Sequence, residues 1–216
     1  MENEDWLADT RTSYDTVAVS YAGHVRGLLE KSPYDQAVFA LFAQLVRVSG
    51  GGSVIDVGCG SGRITGHLRD LGLDVSGVDL SPAMVELARA EHPDLRFEVG
   101  SMTDLALADA SVAGLVAWYS IIHIPDHELD SVLAGFRRVL RPGGSMLLGF
   151  HVGDESRLKT EGYGGHPMRV YVHLRQPRRL AGRLRDSGFD VEAEMTLRSP
   201  ESASKGGGVI FARRPG

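Results

Sequence analysis

Short, almost entirely apolar segments alternate with amphipathic helical segments between residues 53 and 151, and this alternation restricts the fold more than any other feature. Strands that are apolar along their whole length are typical of a parallel sheet covered on both faces. The helical segments supply the crossovers that parallel strands need. We therefore predict an α/β fold with helices on both faces of the sheet. The predicted strands span residues 53–57, 74–79, 95–99, 111–119 and 145–151, and the helices span 62–71, 82–91 and 126–140.

Two helical segments precede this core. Apolar residues at helical spacing predict an amphipathic helix over residues 11–30, and Ser32-Pro33 predicts the N-cap and first turn of a second helix. Together they are expected to form an N-terminal helical cap over residues 1–50, in front of a core over 51–151.

The segment after the core, residues 152–216, has a different pattern. Residues 152–176 carry several glycines and few periodic apolar positions, so we expect a loop or lid there. A helix over 177–187 is followed by segments 189–197 and 208–213, which are expected to pair as an antiparallel hairpin at the sheet edge. We find no linker or repeat and expect a single domain over residues 1–216.

Composition excludes several classes of protein. The 216 residues are 43% hydrophobic and 24% charged, as in a globular domain with its own core. The net charge of −5 argues against a nucleic-acid partner, and the single cysteine, Cys59, excludes an internal disulfide framework. The acidic start is not followed by an apolar stretch and no apolar run approaches about 18 residues, so we expect neither a secretory signal nor a membrane span. We expect a cytoplasmic monomer or homodimer with no membrane contact.

A glycine-rich loop follows the first predicted strand, in the order Gly58-Cys59-Gly60-Ser61-Gly62. In open α/β sheets, ligands bind beyond the carboxyl ends of the strands, and glycine lets the backbone approach them closely. Asp79 ends the second strand, 19 residues beyond Gly60, at a spacing that suits a carboxylate holding ribose hydroxyls. The loop therefore predicts a site for an adenosine-containing ligand.

Two residues argue against a dinucleotide in this site. The dinucleotide fingerprint GxGxxG would place its third glycine at position 63, where this chain has Arg63. Asp56, two residues before the loop, would repel a pyrophosphate but attract a cation. The pattern favours a ligand with a cationic group at one end and adenosine at the other.

Five segments, in this order, resemble the class I S-adenosylmethionine-dependent methyltransferases: VIDVGCGSGRIT, GVDLSPAMVELAR, FEVGSMTDLAL, LVAWYSIIHI and FRRVLRPGGSMLLGF. The resemblance covers about residues 50–151, and the segment TSYDTVAVSY is similar to the helical cap of the small-molecule members. It implies a Rossmann-like seven-stranded sheet in the order 3-2-1-4-5-7-6, with the last strand antiparallel. It also implies S-adenosylmethionine as cofactor and S-adenosylhomocysteine as product.

The resemblance further implies which residues hold the cofactor. Asp56 and the glycine loop would hold its methionine end, and Asp79 its ribose. Ser101 departs from many relatives, in which an aspartate accepts from the adenine amino group. The implied cofactor residues are Tyr14, Tyr21, Asp56, Gly58, Cys59, Gly60, Asp79, Leu80, Met84, Ser101, Met102, Trp118, Tyr119 and Ser120.

Transfer of a methyl group to a protonated oxygen or nitrogen requires a group that removes the proton, and a base with a pKa near neutrality suits this task. His123, which follows the fourth strand, is the first candidate, with His151 and Tyr14 as further catalytic candidates. Structural histidines and plain packing of Tyr14 and Tyr21 are the competing interpretations. Tyr119, His123, His151, Arg157 and Arg169 are the candidate acceptor-binding residues.

The segment from Arg157 to Arg185 carries eight basic residues and one acid, Glu161. A solvated helix face is the favoured interpretation, while a clamp for an anionic acceptor and a nucleic-acid surface stay open as alternatives. The eight histidines show no metal-ligand spacing, so we predict no metal site.

These observations predict a methyltransferase that acts on an oxygen or nitrogen of a small molecule, such as an anionic metabolite or a natural-product intermediate. The alternatives are an NAD(P)-dependent oxidoreductase, a non-methylating protein that binds S-adenosylmethionine, and a methyltransferase of macromolecules.

Overall fold

The computed structural model describes residues 5–197 and 206–216, which contain six α-helices and nine β-strands. The helices are α1 (Trp6–Val25), α2 (Pro33–Val48), α3 (Arg63–Asp70), α4 (Pro82–Glu91), α5 (Asp126–Val139) and α6 (Pro177–Asp186). The strands are β1 (Val54–Val57), β2 (Val75–Asp79), β3 (Arg96–Val99), β4 (Val112–Trp118), β5 (Leu140–His151), β6 (Ser156–Glu161), β7 (Pro167–His173), β8 (Asp190–Leu197) and β9 (Gly207–Arg213).

Seven strands form the central sheet in the order β3-β2-β1-β4-β5-β9-β8. The five strands β1 to β5 are parallel, and β9 runs antiparallel to both β5 and β8. Counted within this sheet alone, the order is the predicted 3-2-1-4-5-7-6, and the fold class is confirmed. The strand numbering along the chain differs from the prediction, because two additional strands, β6 and β7, come before the last pair and form a separate sheet.

Helices cover both faces of the sheet, as the apolar sequences of its strands predicted. All seven residues of β4 are buried, which requires a packed layer on each side. One apolar cluster joins the sheet to α5 and α6, and a second joins its other face to α2 and α3. The carboxyl ends of β1, β2 and β4 therefore meet at one edge, where the glycine loop begins.

The prediction of a loop or lid over residues 152–176 is wrong in its structure, because β6 and β7 form a two-stranded antiparallel sheet there. This hairpin packs on α1 through Val17, Met168 and Val170, and the Ser13 hydroxyl accepts from the Arg169 amide at 2.8 Å. Sequence periodicity missed it because β6 has no buried residue, so its strand pattern contains no apolar face.

Two predicted boundaries also require correction. The first helix spans Trp6–Val25 rather than residues 11–30, because Arg26 is extended and Gly27 adopts a φ of +73°. The fifth strand begins at Leu140 rather than Ser145, since Leu140 already pairs with Val112. The predicted terminal hairpin is confirmed as β8 and β9, and its connecting residues 198–205 lie outside the described part of the chain.

The predicted cap at Ser32 is confirmed, since its hydroxyl accepts from the Asp35 amide at 3.3 Å. No helix among the described residues combines the length and hydropathy that crossing a bilayer requires.

Candidate active site

The glycine loop turns sharply from β1 into α3. Gly58, Gly60 and Gly62 have φ values of +74°, +56° and +81°, a region that favours glycine. A Cβ atom on Gly58 would lie 2.4 Å from the Cβ of Ser120, so the loop and the end of β4 can approach only with glycine here. The hydroxyl of Ser120 donates to the Val57 carbonyl at 2.7 Å and ties the two strand ends together.

Asp79 lies at the end of β2 and faces this loop. One carboxylate oxygen accepts from the Gly60 amide at 2.7 Å, and the other accepts from the Ser81 amide at 2.9 Å. Burial raises the pKa of Asp79, and these amide donors oppose the shift. The carboxylate is therefore held rigidly where the resemblance expects ribose hydroxyls.

Asp56 is buried behind the loop, where its carboxylate accepts from the Thr65 hydroxyl at 2.7 Å. Burial raises the pKa of Asp56 to about 7, while the Thr65 hydrogen bond opposes the shift. Asp56 lines a smaller cavity of about 330 Å³ beside the loop, together with Gly58, Cys59 and Gly60. The thiol of Cys59 is also buried, and burial raises its pKa well above the usual value, so it is a packing residue.

A cleft of about 710 Å³, part of which is open to solvent, lies above the loop. Thirteen of the residues proposed from the sequence line it: Tyr14, Tyr21, Gly58, Gly60, Asp79, Leu80, Met84, Ser101, Met102, Trp118, Tyr119, Ser120 and His123. Sequence reasoning missed seven further lining residues: Trp6, Leu7, Thr10, Arg11, Ser81, Gly100 and Ile124. Four of these belong to α1, which the sequence pattern had started five residues too late.

The apolar side of the cleft is formed by Leu80, the fully buried Met84 and Met102. Ser101 also lies there, but its hydroxyl contacts the Thr103 hydroxyl at 2.7 Å and accepts from the Thr103 amide at 3.1 Å. The Ser101 hydroxyl is thus bound within its own turn. The main chain of this turn therefore supplies the polar groups on this otherwise apolar side of the cleft.

Asp15, which sequence analysis did not single out, fixes α1 over the cleft. Its carboxylate accepts from the Ser81 hydroxyl at 2.6 Å and from the Ala83 amide at 3.2 Å, at the first turn of α4. The Ser81 hydroxyl in turn accepts from the Met84 amide at 3.1 Å and caps α4. An acid at a helix N-terminus was not recognisable from the sequence because Asp15 belongs to another helix.

Tyr14 and His123 meet at the far end of the cleft. The Tyr14 hydroxyl lies 2.8 Å from His123 Nε2, and His123 Nδ1 lies 2.8 Å from the Tyr171 carbonyl oxygen. Because a carbonyl can only accept, Nδ1 carries the hydrogen, and Nε2 accepts from the Tyr14 hydroxyl. Burial raises the pKa of Tyr14 well above its usual value, so this hydroxyl stays protonated.

Arg175 holds the short helical turn that carries His123. Its buried guanidinium donates to the carbonyls of Ile121 and Ile124 and contacts the Asp126 carboxylate at 2.7 Å. Three acceptors on one loop fix the position of the imidazole, a role that the sequence did not indicate because Arg175 is about 50 residues away.

Tyr119 has a φ of +53°, a left-handed conformation that costs a non-glycine residue about 1–3 kcal/mol. This conformation lies at the end of β4, and Tyr119 lines the cleft. Its ring also contacts the His151 ring, with centroids 4.8 Å apart. His151 thus contacts Tyr119 but is not among the residues that line the cleft.

The two arginines proposed as acceptor ligands lie on the hairpin. Arg157 pairs with Glu155, and Arg169 pairs with Asp9 on α1. Arg169 lines a separate cavity of about 310 Å³ that also reaches His123. Neither arginine lines the main cleft. Among the described residues, no group of three or more His, Cys, Asp or Glu side chains is arranged to hold a metal ion.

Burial lowers the pKa of His123 to about 4, with the charge of Lys159 among the lesser causes. Because the folded-state pKa lies below the unfolded value of about 6.5, folding is weakened as pH falls from 6.5 towards 4. The free energy of unfolding of the wild type should therefore fall between pH 7 and pH 4.5. We expect this fall to be about 1–2 kcal/mol smaller in His123→Gln, whose side chain can still accept from Tyr14 but does not titrate. Urea denaturation at several pH values measures this difference.

His127→Gln gives the matched control, because it removes an exposed imidazole that does not line the cleft. If the free energy of unfolding falls with pH by the same amount in His123→Gln and in the wild type, burial of the His123 imidazole does not contribute to the pH dependence.

Comparisons with known proteins agree with this geometry. Residues 54–144 match the family model described as a methyltransferase domain. A probable S-adenosylmethionine-dependent methyltransferase of Mycolicibacterium smegmatis is 30% identical over 78% of this chain and 63% of its own length. The ubiquinone biosynthesis O-methyltransferase of Xanthomonas axonopodis pv. citri is 28% identical over 66% of this chain and 64% of its own.

The chain thus spans less than two thirds of the length of these two curated relatives. Among solved structures, the DhpI complex with S-adenosylhomocysteine (SAH) superposes with a TM-score of 0.75 at 20% identity, covering 99% of this chain and 98% of the other. The family match contains the glycine loop and Asp79, and the fold match extends over the cap and the hairpin. The sequence match over residues 54–144 identifies a methyltransferase domain of the S-adenosylmethionine-dependent class, and the fold match extends this architecture over the rest of the chain.

Proposed function

We propose that this protein transfers a methyl group from S-adenosylmethionine (SAM) to an oxygen or nitrogen of a small molecule. One observation carries the proposal: the Tyr14–His123 pair lies at the end of the same cleft that Asp79, Met84 and Met102 line. A group able to receive a proton thus shares one cavity with an adenosine-type pocket. The single domain over residues 1–216 would supply the whole site.

The residues present fit this cofactor. The fixed Asp79 carboxylate suits vicinal ribose hydroxyls, and the pocket beside Met84 and Met102 suits a flat apolar ring. Gly58 lets the loop pack closely against Ser120 beside the cleft, while the buried Asp56 contributes negative charge behind the loop. When bound, the cofactor supplies the activated methyl group on its sulfonium, so the protein has to provide position and charge environment.

The chain's own residues would manage the acceptor proton. The Tyr14 hydroxyl donates to His123 Nε2, so lone pairs of the Tyr14 oxygen can accept a proton from an acceptor in the cleft. As Tyr14 takes that proton, its own proton can pass to His123, whose Nδ1–H remains bound to the Tyr171 carbonyl. Trp118 and Tyr119 would exclude water from this end of the cleft.

Cofactor binding gives the first test. We expect titration calorimetry to show binding of SAM and SAH in the micromolar range, and no binding of NAD or NADP at the same concentrations. Arg63 replaces the third glycine that a pyrophosphate loop needs, which is the physical reason for the discrimination. Tight binding of a nicotinamide dinucleotide without SAM binding would support the oxidoreductase alternative instead.

Catalytic turnover gives the second test of the proposed function. Candidate small molecules with hydroxyl or amine groups are incubated with the protein and SAM, and release of SAH is measured with mass detection of the methylated product. SAM binding without any SAH release would favour the non-methylating alternative. Methylation of RNA, DNA or protein substrates alone would contradict the proposed acceptor class.

A further inference from the structure

Lys159 is a basic residue on the inner face of the β6–β7 hairpin. It pairs in register with Val170, which contacts Val17 on α1, so the hairpin turns Lys159 towards the domain. Its ammonium nitrogen lies 3.8 Å from the centre of the Tyr163 ring. That ring packs edge to face against Tyr21, with centroids 4.9 Å apart, and Tyr21 lines the cleft.

Most other basic side chains of the segment 157–185 already have acidic partners. These pairs are Arg157–Glu155, Arg169–Asp9, Arg175–Asp126, Arg179–Asp154, Arg183–Asp130 and Arg185–Glu194. The segment's excess of positive charge is therefore largely matched by acids of other elements. Within residues 5–197 and 206–216, Lys159 makes no ion pair, and burial lowers its pKa.

Lys159, like Arg157 and Arg169, does not line the main cleft, but its charge acts on the acceptor end of the cleft. It lowers the pKa of both His123 and His151, for which burial is the main cause. Both imidazoles are neutral at pH 7, since burial holds each pKa at about 4. Lys159 is thus a fixed cation on this side, whereas Asp79 and Asp15 make the opposite side negative.

We propose that Lys159 selects an acceptor that carries an anionic oxygen group, such as a carboxylate, in addition to the hydroxyl or amine that is methylated. This inference rests on the proposed methyl transfer and names its substrate class. A half-buried ammonium without a carboxylate partner is a favourable counter-charge for such a group. The aromatic rings of Tyr163, Tyr21 and Tyr14 would line the path between the anchored anion and the reacting atom.

Binding of the anion would also affect the proton path. Because the Lys159 charge depresses the pKa of His123, an anion paired with Lys159 cancels part of that effect. The imidazole then becomes a better proton acceptor when a substrate of the correct charge is present. Anionic acceptors would therefore gain in turnover as well as in affinity.

The test measures the binding of matched acids and amides to the chain of residues 1–216 saturated with SAH. The probes are meta-hydroxybenzoate with meta-hydroxybenzamide, and para-hydroxyphenylpropanoate with its amide, and their binding is measured by calorimetry. We expect the wild type to bind at least one acid about 10-fold more tightly than its amide. Lys159→Gln should remove this preference, and Lys159→Arg should retain it.

Arg178→Gln is the matched control, because it removes an exposed charge from the same basic segment and should leave the preference intact. Absence of an acid-over-amide preference in every pair, or a preference that survives Lys159→Gln, would overturn the assignment. Failure of the proposed function gives a different result, namely no SAM binding or no SAH release with any acceptor. Methylation of neutral acceptors alone would uphold the function and refute the role of Lys159.

Discussion

Replacing Asp79 with alanine is expected to weaken SAM binding about 100-fold, which corresponds to about 3 kcal/mol. The Asp79 carboxylate is held by the amides of Gly60 and Ser81, so its orientation is fixed before a ligand arrives. Each hydrogen bond from a ribose hydroxyl to this charged group contributes about 1.5–3 kcal/mol. Calorimetry with SAM and with SAH measures the change.

Two further variants separate this role from structural damage. Asp79→Asn keeps the size of the side chain and should lose at least about 10-fold, because the charge is gone and the amide nitrogen cannot accept from the Gly60 or Ser81 amide. Asp74→Ala removes an exposed acid just before the same strand and should bind SAM like the wild type. Affinity of Asp79→Ala within threefold of wild type would show that the ribose is held elsewhere. A similar loss of SAM affinity in Asp74→Ala would show that the effect comes from the overall negative charge of this region and not from contact with the ribose.

The parallel sheet was predictable because its strands are buried on both faces and therefore appear as apolar runs. The β6–β7 hairpin was not, since all of β6 is at least partly exposed and its inward residue is the polar Lys159. Such a strand contains no apolar alternation, although its register decides which side chain faces the site. The terminal hairpin was recognisable because β9 is almost fully buried.

The cofactor half of the site could be predicted from local motifs, since the glycine loop and Asp79 follow their strands directly. The acceptor half depends on contacts between distant elements. Tyr14 and His123 are 109 residues apart, and the proximity of their side chains follows only from the packing of α1. The partners of the basic segment were equally hidden, because its acids, such as Asp9 and Asp126, belong to other helices.

Tyr14→Phe is expected to lower kcat by about 100- to 1,000-fold with an oxygen acceptor, while SAM affinity stays close to wild type. The substitution removes only the hydroxyl that donates to His123 Nε2 and keeps the ring that packs against Tyr21. Loss of a positioned group that moves the acceptor proton costs about this much. Steady-state release of SAH measures kcat, with the exposed Tyr34→Phe as the matched control.

The double variant distinguishes a proton path from two independent contributions. If Tyr14 passes its proton to His123, removing either group interrupts the same path, so Tyr14→Phe combined with His123→Gln should be about as slow as the slower single variant. Independent roles would instead multiply the two losses. The acceptor's own acidity gives a second criterion, because a phenol that is already ionised at the assay pH needs no proton removal. The Tyr14→Phe defect should therefore shrink as the pKa of the acceptor hydroxyl falls, and a defect of constant size across such a series would assign Tyr14 to acceptor positioning alone.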